Sequence, residues 1–184
     1  CGKEDGANPG GQTEQKEYVY VPEYLELDDN TNSSYSNMTV QGDKLYYTNY
    51  QWDEASGESK VVLGAYSLTD GSREDLPITI NADGGGIYSM QADAEGNIYT
   101  AEFEWNATEG DDAYTQQTTV LHKYDASGTE LMAQDITDIM QQDENNSYVG
   151  SMCLDDQGRF YISSDSLIRL FGSDGQFQGA VQTD

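Results

Sequence analysis

Two tryptophans, Trp52 and Trp105, are the only indoles in a chain of 184 residues, and each follows a tyrosine by six positions, Tyr46 and Tyr99 respectively. Flat indole faces at the rim of a cleft stack on the apolar faces of sugar rings or on cations, while nearby carboxylates accept hydrogen bonds from hydroxyls. Tyr50, Asp53 and Glu54 flank the first indole; Glu104, Glu109, Asp111 and Asp112 flank the second. The candidate ligand-binding set is therefore Trp52, Trp105, Tyr50, Asp53, Glu104, Asp111 and Asp112, and the chemistry it suggests is capture of a carbohydrate or other small solute. Matched positions in a repeat also serve as scaffold, with both indoles packed between neighbouring units, and the sequence leaves both readings open.

Signals for catalysis are weak. His122 is the sole histidine and alternates with Val120 and Tyr124 in the manner of a strand. A zinc site or a Ser-His-Asp arrangement needs partners that this pattern does not supply. No Gly-Lys-Ser/Thr phosphate loop occurs, so nucleotide hydrolysis lacks its parts. Paired carboxylates of a glycosidase stay open among 34 acids, because their separation in space is not visible in sequence. Asp28-Asp29-Asn30-Thr31-Asn32 begins like a calcium loop, but Ser33 stands where the turn glycine belongs and Thr39 where the bidentate Glu belongs. Asp143-Glu144-Asn145-Asn146 is a second oxygen cluster, of a kind more often solvated than metal-bound. The expectation is a protein without metal, cofactor or enzymatic activity.

Eight Lys plus Arg against 34 Asp plus Glu give a net charge of -26. Such a surface repels a phosphate backbone, which excludes nucleic acid as a partner. The chain nevertheless carries 14 Tyr, 4 Phe and 2 Trp in short apolar clusters, whereas disordered acidic chains are poor in such residues. The sequence opens Cys1-Gly2 and continues through a polar stretch of Gly, Gln, Glu, Lys and Asn. That pattern is what remains when a signal peptide is cut before a lipid-modified thiol. Cys1 is accordingly the expected lipid attachment, on a flexible stalk at the outer face of the cytoplasmic membrane. The other cysteine, Cys153 in Ser151-Met152-Cys153-Leu154, is expected as a small apolar core residue.

What must position these side chains is a repeat. Asp43-Lys44-Leu45-Tyr46-Tyr47, Gly96-Asn97-Ile98-Tyr99-Thr100 and Gly158-Arg159-Phe160-Tyr161-Ile162 are each a turn, an apolar residue and a tyrosine opening a strand. A short strand precedes each one: Ser36 to Val40, Ile87 to Ala92 and Val149 to Leu154. A third follows, from Leu63, Leu121 and Ile168, and ends in the turns at Gly71, Gly128 and Gly175. A fourth closes the unit at Leu76 to Ile80, Leu131 to Ile136 and Phe177 to Val181. In the turns Asp93-Ala94-Glu95-Gly96 and Asp155-Asp156-Gln157-Gly158, Asp caps and Gly takes the positive φ. Four antiparallel strands on tight turns, recurring every few tens of residues, predict an all-β fold: a partial β-propeller of about three four-stranded antiparallel blades after an N-terminal stalk. Helical periodicity is confined to Ile136 to Gln142, a turn or two that decorates a loop. The connections between second and third strands read as long at Gln51 to Ser59 and Asn106 to Gln117 and short at Ser163 to Asp165.

The Gly-Asn-Ile-Tyr turn and the Tyr-Asp-Ala-Ser-Gly closing turn resemble those of NHL-type bacterial β-propellers. Together with Cys1, the polar stretch and Glu17-Tyr18-Val19-Tyr20-Val21-Pro22-Glu23-Tyr24, the chain resembles the N-terminal propeller region of extracellular solute-binding lipoproteins from Gram-positive gut bacteria. That resemblance implies a non-enzymatic, surface-anchored module associated with an ABC importer, binding a carbohydrate or docking a solute-binding domain. The alternative is a protein-interaction module of the cell envelope with no small-molecule ligand. The expected organisation is a stalk at 1–17, an edge strand or linker at 18–32, and blades at 33–82, 83–143 and 144–184. Three blades fall short of the four to eight that usually close a ring. The expected partners are membrane lipid through Cys1, a small solute, and further blades or a solute-binding domain of the same gene product, or a second chain completing a six-bladed ring. A compact three-sheet packing without a ring is the remaining account.

Overall fold

A computed structural model of the chain describes residues 21–25, 33–82, 84–106 and 116–183. Twelve strands among them form three sheets of four, each a simple antiparallel meander built from one continuous stretch. The first sheet holds β1 (Ser33–Gln41), β2 (Lys44–Asp53), β3 (Glu58–Ser67) and β4 (Arg73–Asn81). The second holds β5 (Gly85–Ala92), β6 (Ile98–Asn106), β7 (Gln116–Tyr124) and β8 (Glu130–Asp135). The third holds β9 (Ser151–Leu154), β10 (Phe160–Ser164), β11 (Leu167–Phe171) and β12 (Phe177–Gln182). The first strands of the sheets lie side by side, β1 against β5 and β5 against β9. The chain is thus all-β, with three blades of a β-propeller. Val21–Leu25 carries no strand.

Alternation along the second strand of each blade decides what packs. Tyr46 on β2 and Tyr99 on β6 point toward the following blade, while Ile98 on β6 and Phe160 on β10 point back toward the preceding one. We call these the trailing and leading faces. Between blades one and two, Tyr46, Leu63, Ala65 and Ile78 bury against Met90, Ile98 and Tyr124. Between blades two and three, Tyr99, Ala101 and Leu121 bury against Met152, Phe160, Ile162 and Phe171. The Tyr99 and Phe160 rings meet edge to face at 5.6 Å. Gln91 ties the inner strands together, accepting from the Thr39 hydroxyl at 3.2 Å and donating to the Met152 carbonyl at 3.1 Å.

The aspartate turns take the predicted form. Asp93 Oδ1 accepts the backbone N–H groups of Glu95 and Asn97, and Oδ2 accepts the Asn97 amide and the Tyr99 hydroxyl. Asp155 repeats the arrangement with Gln157, Arg159 and Tyr161. Gly96 and Gly158 sit at φ 83° and 72°. Each glycine also receives the tyrosine of the blade before it: the Tyr46 hydroxyl lies 3.9 Å from where a Cβ on Gly96 would be, and that of Tyr99 3.6 Å from one on Gly158.

Three expectations need correction. The helix α1 (Thr137–Gln141) is more than loop decoration, because Ile136 and Met140 are buried between blades two and three. Most of Gln51 to Ser59 is strand, with pairing from Lys44↔Ser67 to Asp53↔Glu58 leaving only 54–57 as the turn. The first hairpin is elaborated by strand length, since Tyr50, Gln51 and Trp52 go on alternating. Cys153 is exposed. Strand alternation turns its neighbour Met152 into the core, which leaves Cys153 on the trailing face of the last blade.

Candidate functional site

Trp52 and Trp105 occupy equivalent places on β2 and β6, at the hairpin end, and both are half open to solvent, 44% and 49%. Trp52 pairs with Ser59 across the hairpin. Beside it lies an open cleft of about 420 Å³ lined by Gln51, Trp52, Asp53, Ser56, Glu58 and Lys60, with Ser59 at its base. The Tyr50 hydroxyl donates to Ser59 Oγ at 2.7 Å, so Tyr50 positions the cleft floor and does not line it. Asp53 Oδ1 accepts the Ala55 N–H at 2.9 Å. That bond, with help from Ser56, holds the Asp53 carboxyl below the usual carboxylate range. The cleft thus combines an apolar plate, one ammonium and two carboxylates at the edge of a rigid hairpin.

Trp105 is anchored differently. Its backbone N–H donates to Gly84 O at 2.7 Å, and its indole meets Phe103 edge-on at 6.4 Å, with Tyr88 tilted against Phe103 at 4.7 Å. Glu104 is exposed beside it. Neither Trp105 nor Glu104 lines the cleft at Trp52. The two indoles therefore stand apart, one at the hairpin end of each of the first two blades. Asp111 and Asp112, with Glu109, lie outside the described residues, as does Cys1.

A cluster that the sequence did not reveal sits on the leading face of blade two. His122 Nδ1 is 2.9 Å from Glu130 Oε2, and Nε2 is 3.6 Å from Glu102 Oε2. The imidazole stacks parallel to the Tyr124 ring at 5.6 Å. Glu102 accepts the hydroxyls of Thr100 and Tyr124. Burial, reinforced by the Glu102 charge, pushes the Tyr124 phenol well above its ordinary value. The available signal was register: Thr100 faces His122 and Ile98 faces Tyr124 across the β6–β7 pair. These groups satisfy one another within the sheet. Cross-strand register is what brought them together.

A buried arginine is spent on architecture. Arg169, fully enclosed, donates to the backbone carbonyls of Asn146 and Met140 and to Ser164 Oγ, latching the inter-blade connection to blade three. Burial lowers its guanidinium below the usual value. Asp143, one of the oxygen cluster considered for calcium, caps the 144–146 turn through Asn145 N–H and the Asn146 amide. Asp28 to Asn32 lies outside the described residues. Among the described residues no group of three or more His, Cys, Asp or Glu is arranged to hold a metal ion, and no helix is long and apolar enough to cross a membrane.

No protein-family model and no curated protein matches the chain. Among solved structures it is similar to the β-propeller domain of the Trilobed protease from Pyrococcus furiosus, described as having an open velcro topology, with TM-score 0.49 and 10% identity over 83% of this chain and 44% of that one. A protein of unknown function from Bacteroides caccae gives 0.41 and 14% over 83% and 58%. The acylaminoacyl peptidase of Pyrococcus horikoshii gives 0.40 and 12% over 79% and 32%. The chain spans between about a third and three-fifths of these structures.

Proposed function

We propose that this chain is a non-catalytic propeller module that captures a carbohydrate on the hairpin rim of its first two blades. The carrying observation is the half-exposed Trp52 on the cleft floored by Ser59, with Asp53, Glu58 and Lys60 around it. An indole face supplies the apolar platform that a pyranose needs, and the carboxylates and ammonium supply acceptors and donors for its hydroxyls. Trp105 at the equivalent place on the next blade suits an extended ligand touching both indoles. Binding without chemistry fits the spent state of the sole histidine, held between Glu102 and Glu130. Attachment through Cys1 at the outer face of the cytoplasmic membrane, and service to a solute-binding lipoprotein of an ABC importer, belong to the same proposal; their support is the resemblance of the turns and the N-terminal stretch.

The test is calorimetric titration with a panel of neutral oligosaccharides. Saturable heat that Trp52→Ala abolishes and Trp105→Ala weakens is the expected result. A panel without heat, or heat unchanged in the double variant, overturns the reading.

A specific observation favours interaction with protein as a second reading: on the trailing face of the third blade Tyr161, Ile168 and Leu170 are only half-buried among the described residues, and Val181 is exposed.

A further inference from the structure

The contact between blades two and three departs from the contact between blades one and two at one position. Tyr46 faces Ala65 across the β2–β3 pair, and Tyr99 faces Lys123 across β6–β7, so a lysine stands on blade two where blade one has a buried alanine. On blade three the same place holds Leu170, opposite Tyr161. Two of the three repeats thus put an apolar side chain here, as a packed face requires. Lys123 is half-buried and its ammonium lies over the Tyr99 ring, 5.1 Å from the centroid. Among the described residues no carboxylate forms an ion pair with it. Taking an ammonium partly out of water without a carboxylate partner is unfavourable, and 34 acids against eight Lys plus Arg make partners plentiful elsewhere on the chain. Packing between blades does not account for this lysine.

Lys123 lines a cavity of about 600 Å³ between blades two and three, at the end of the sheets opposite Trp52 and Trp105. That volume falls among small-molecule sites, roughly 300–1,000 Å³. Ala92 and Leu154 supply apolar wall beside Tyr99, and Lys123 is the one cation of the lining. Two of the carboxylates there are already engaged: Asp93 by its turn N–H groups and the Tyr99 hydroxyl, Asp155 by its own turn and by Arg159 Nε at 2.7 Å. The other two, Glu95 and Asp156, are exposed at the rim and form no ion pair with a cation among the described residues. A cleft of about 400 Å³ at the same place between blades one and two also has one lysine, Lys44, but Glu74 holds that ammonium at 2.6 Å. Of the two clefts, the one at Lys123 keeps its cation unneutralised.

We propose that this cavity binds a zwitterionic amino acid, its α-carboxylate on Lys123, its α-ammonium at the rim carboxylates of Glu95 and Asp156, and its side chain against Ala92 and Leu154. The carboxylate is the partner that Lys123 lacks, in a charge-assisted hydrogen bond. A plain anion meets the field of a chain carrying -26, with two further carboxylates at the entrance, whereas a ligand without net charge does not. A plain amine has nothing to offer Lys123 but like charge. A neutral sugar would leave the ammonium unpaired. The cavity is separate from the cleft at Trp52, and the proposal stands whether or not that cleft takes a carbohydrate.

Calorimetric titration of the intact chain with each of the standard L-amino acids tests this. Saturable heat is expected with one or more of them, and none with the same compound stripped of its amino group or of its carboxylate. Lys123→Met keeps a stem over the Tyr99 ring and removes the charge; it is expected to weaken binding by about tenfold or more, while Lys123→Arg retains it. Glu95→Gln combined with Asp156→Asn is expected to weaken binding as well, and Trp52→Ala to leave it unchanged. Each variant is checked for an unchanged far-ultraviolet circular dichroism spectrum. Absence of heat with every amino acid overturns the proposal, and so does heat that Lys123→Met leaves unchanged. Equal binding of the compound without its amino group overturns it in favour of a simple anion site. Loss of binding in Trp52→Ala overturns it by placing the ligand in the other cleft.

Discussion

The contact between blades one and two can be tested at a single atom. Gly128, in the turn joining β7 to β8, has φ 82°, and a Cβ there would lie 2.6 Å from the carbonyl oxygen and 2.7 Å from the Cγ of Pro77 on blade one. Gly57, in the β2–β3 turn, has φ 71° with nothing within 4 Å of the same position. Alanine at Gly57 therefore meets only the left-handed backbone penalty, about 1–2 kcal/mol. Alanine at Gly128 meets that penalty and a clash with backbone, and overpacking adds about 1–3 kcal/mol. The expected gap between the two variants is that second contribution. In a chain of this size each kcal/mol lowers the melting temperature by roughly 2–4 °C. Urea unfolding followed by tryptophan fluorescence reads both values, because blades one and two each carry one indole, Trp52 and Trp105. Equal destabilisation by Gly57→Ala and Gly128→Ala would show that Pro77 does not press on the turn, and the packing of the first two blades would have to be redrawn.

Phe160→Ala empties a fully buried site against Tyr99 and is expected to cost about 3–5 kcal/mol, measured by the same urea unfolding. Arg169→Leu leaves the Asn146 and Met140 carbonyls without a donor, at about 1–3 kcal/mol for each buried group left unmade; hydrogen exchange should show the 137–146 connection loosening first. The turn carboxyls set the acid limb. Hydrogen bonds from Ser72 hold Asp70 down at about 2, and Asp53, Asp93, Asp125 and Asp155 are also lowered. A lowered native value stabilises the fold above the unfolded carboxyl range, near pH 4, and that stabilisation is lost as pH falls toward 2. From pH 7 down to about 4.5 protonation of other acids relieves self-repulsion and acts in the opposite direction. The melting temperature should therefore hold or rise on mild acidification and drop below pH 4. A steady fall from pH 7 would contradict this.

Much of the fold was readable because the turns are chemical. Asp at the start, Gly at the left-handed position and Tyr six residues after the Asp give the same hydrogen bonds at Asp93 and Asp155, and these fix where each second strand begins. The tryptophans were readable as a pair, and strand alternation placed both on the trailing side. Cys153 was misjudged because an apolar flank, Met152 and Leu154, does not say which face of a strand is covered; that depends on whether a further sheet exists. The role of the 136–142 segment was missed for a similar reason, since its helical periodicity was legible but its burial comes from the blades on either side. The Glu102, His122 and Glu130 contacts were invisible because they rest on the register of β7 against both its neighbours, β6 for Glu102 and β8 for Glu130.

Among the described residues every blade is woven from consecutive hairpins, with no strand borrowed from a distant part of the chain. Contacts that are near in sequence close quickly, at little loop entropy. As the chain leaves the ribosome, the first blade can finish pairing while the third is still unmade, and each completed sheet then offers its trailing face as a template for the next. Such a topology lets assembly run from the first blade to the third, and a cut in the third unit would bare Tyr99, Ala101 and Leu121 of the second.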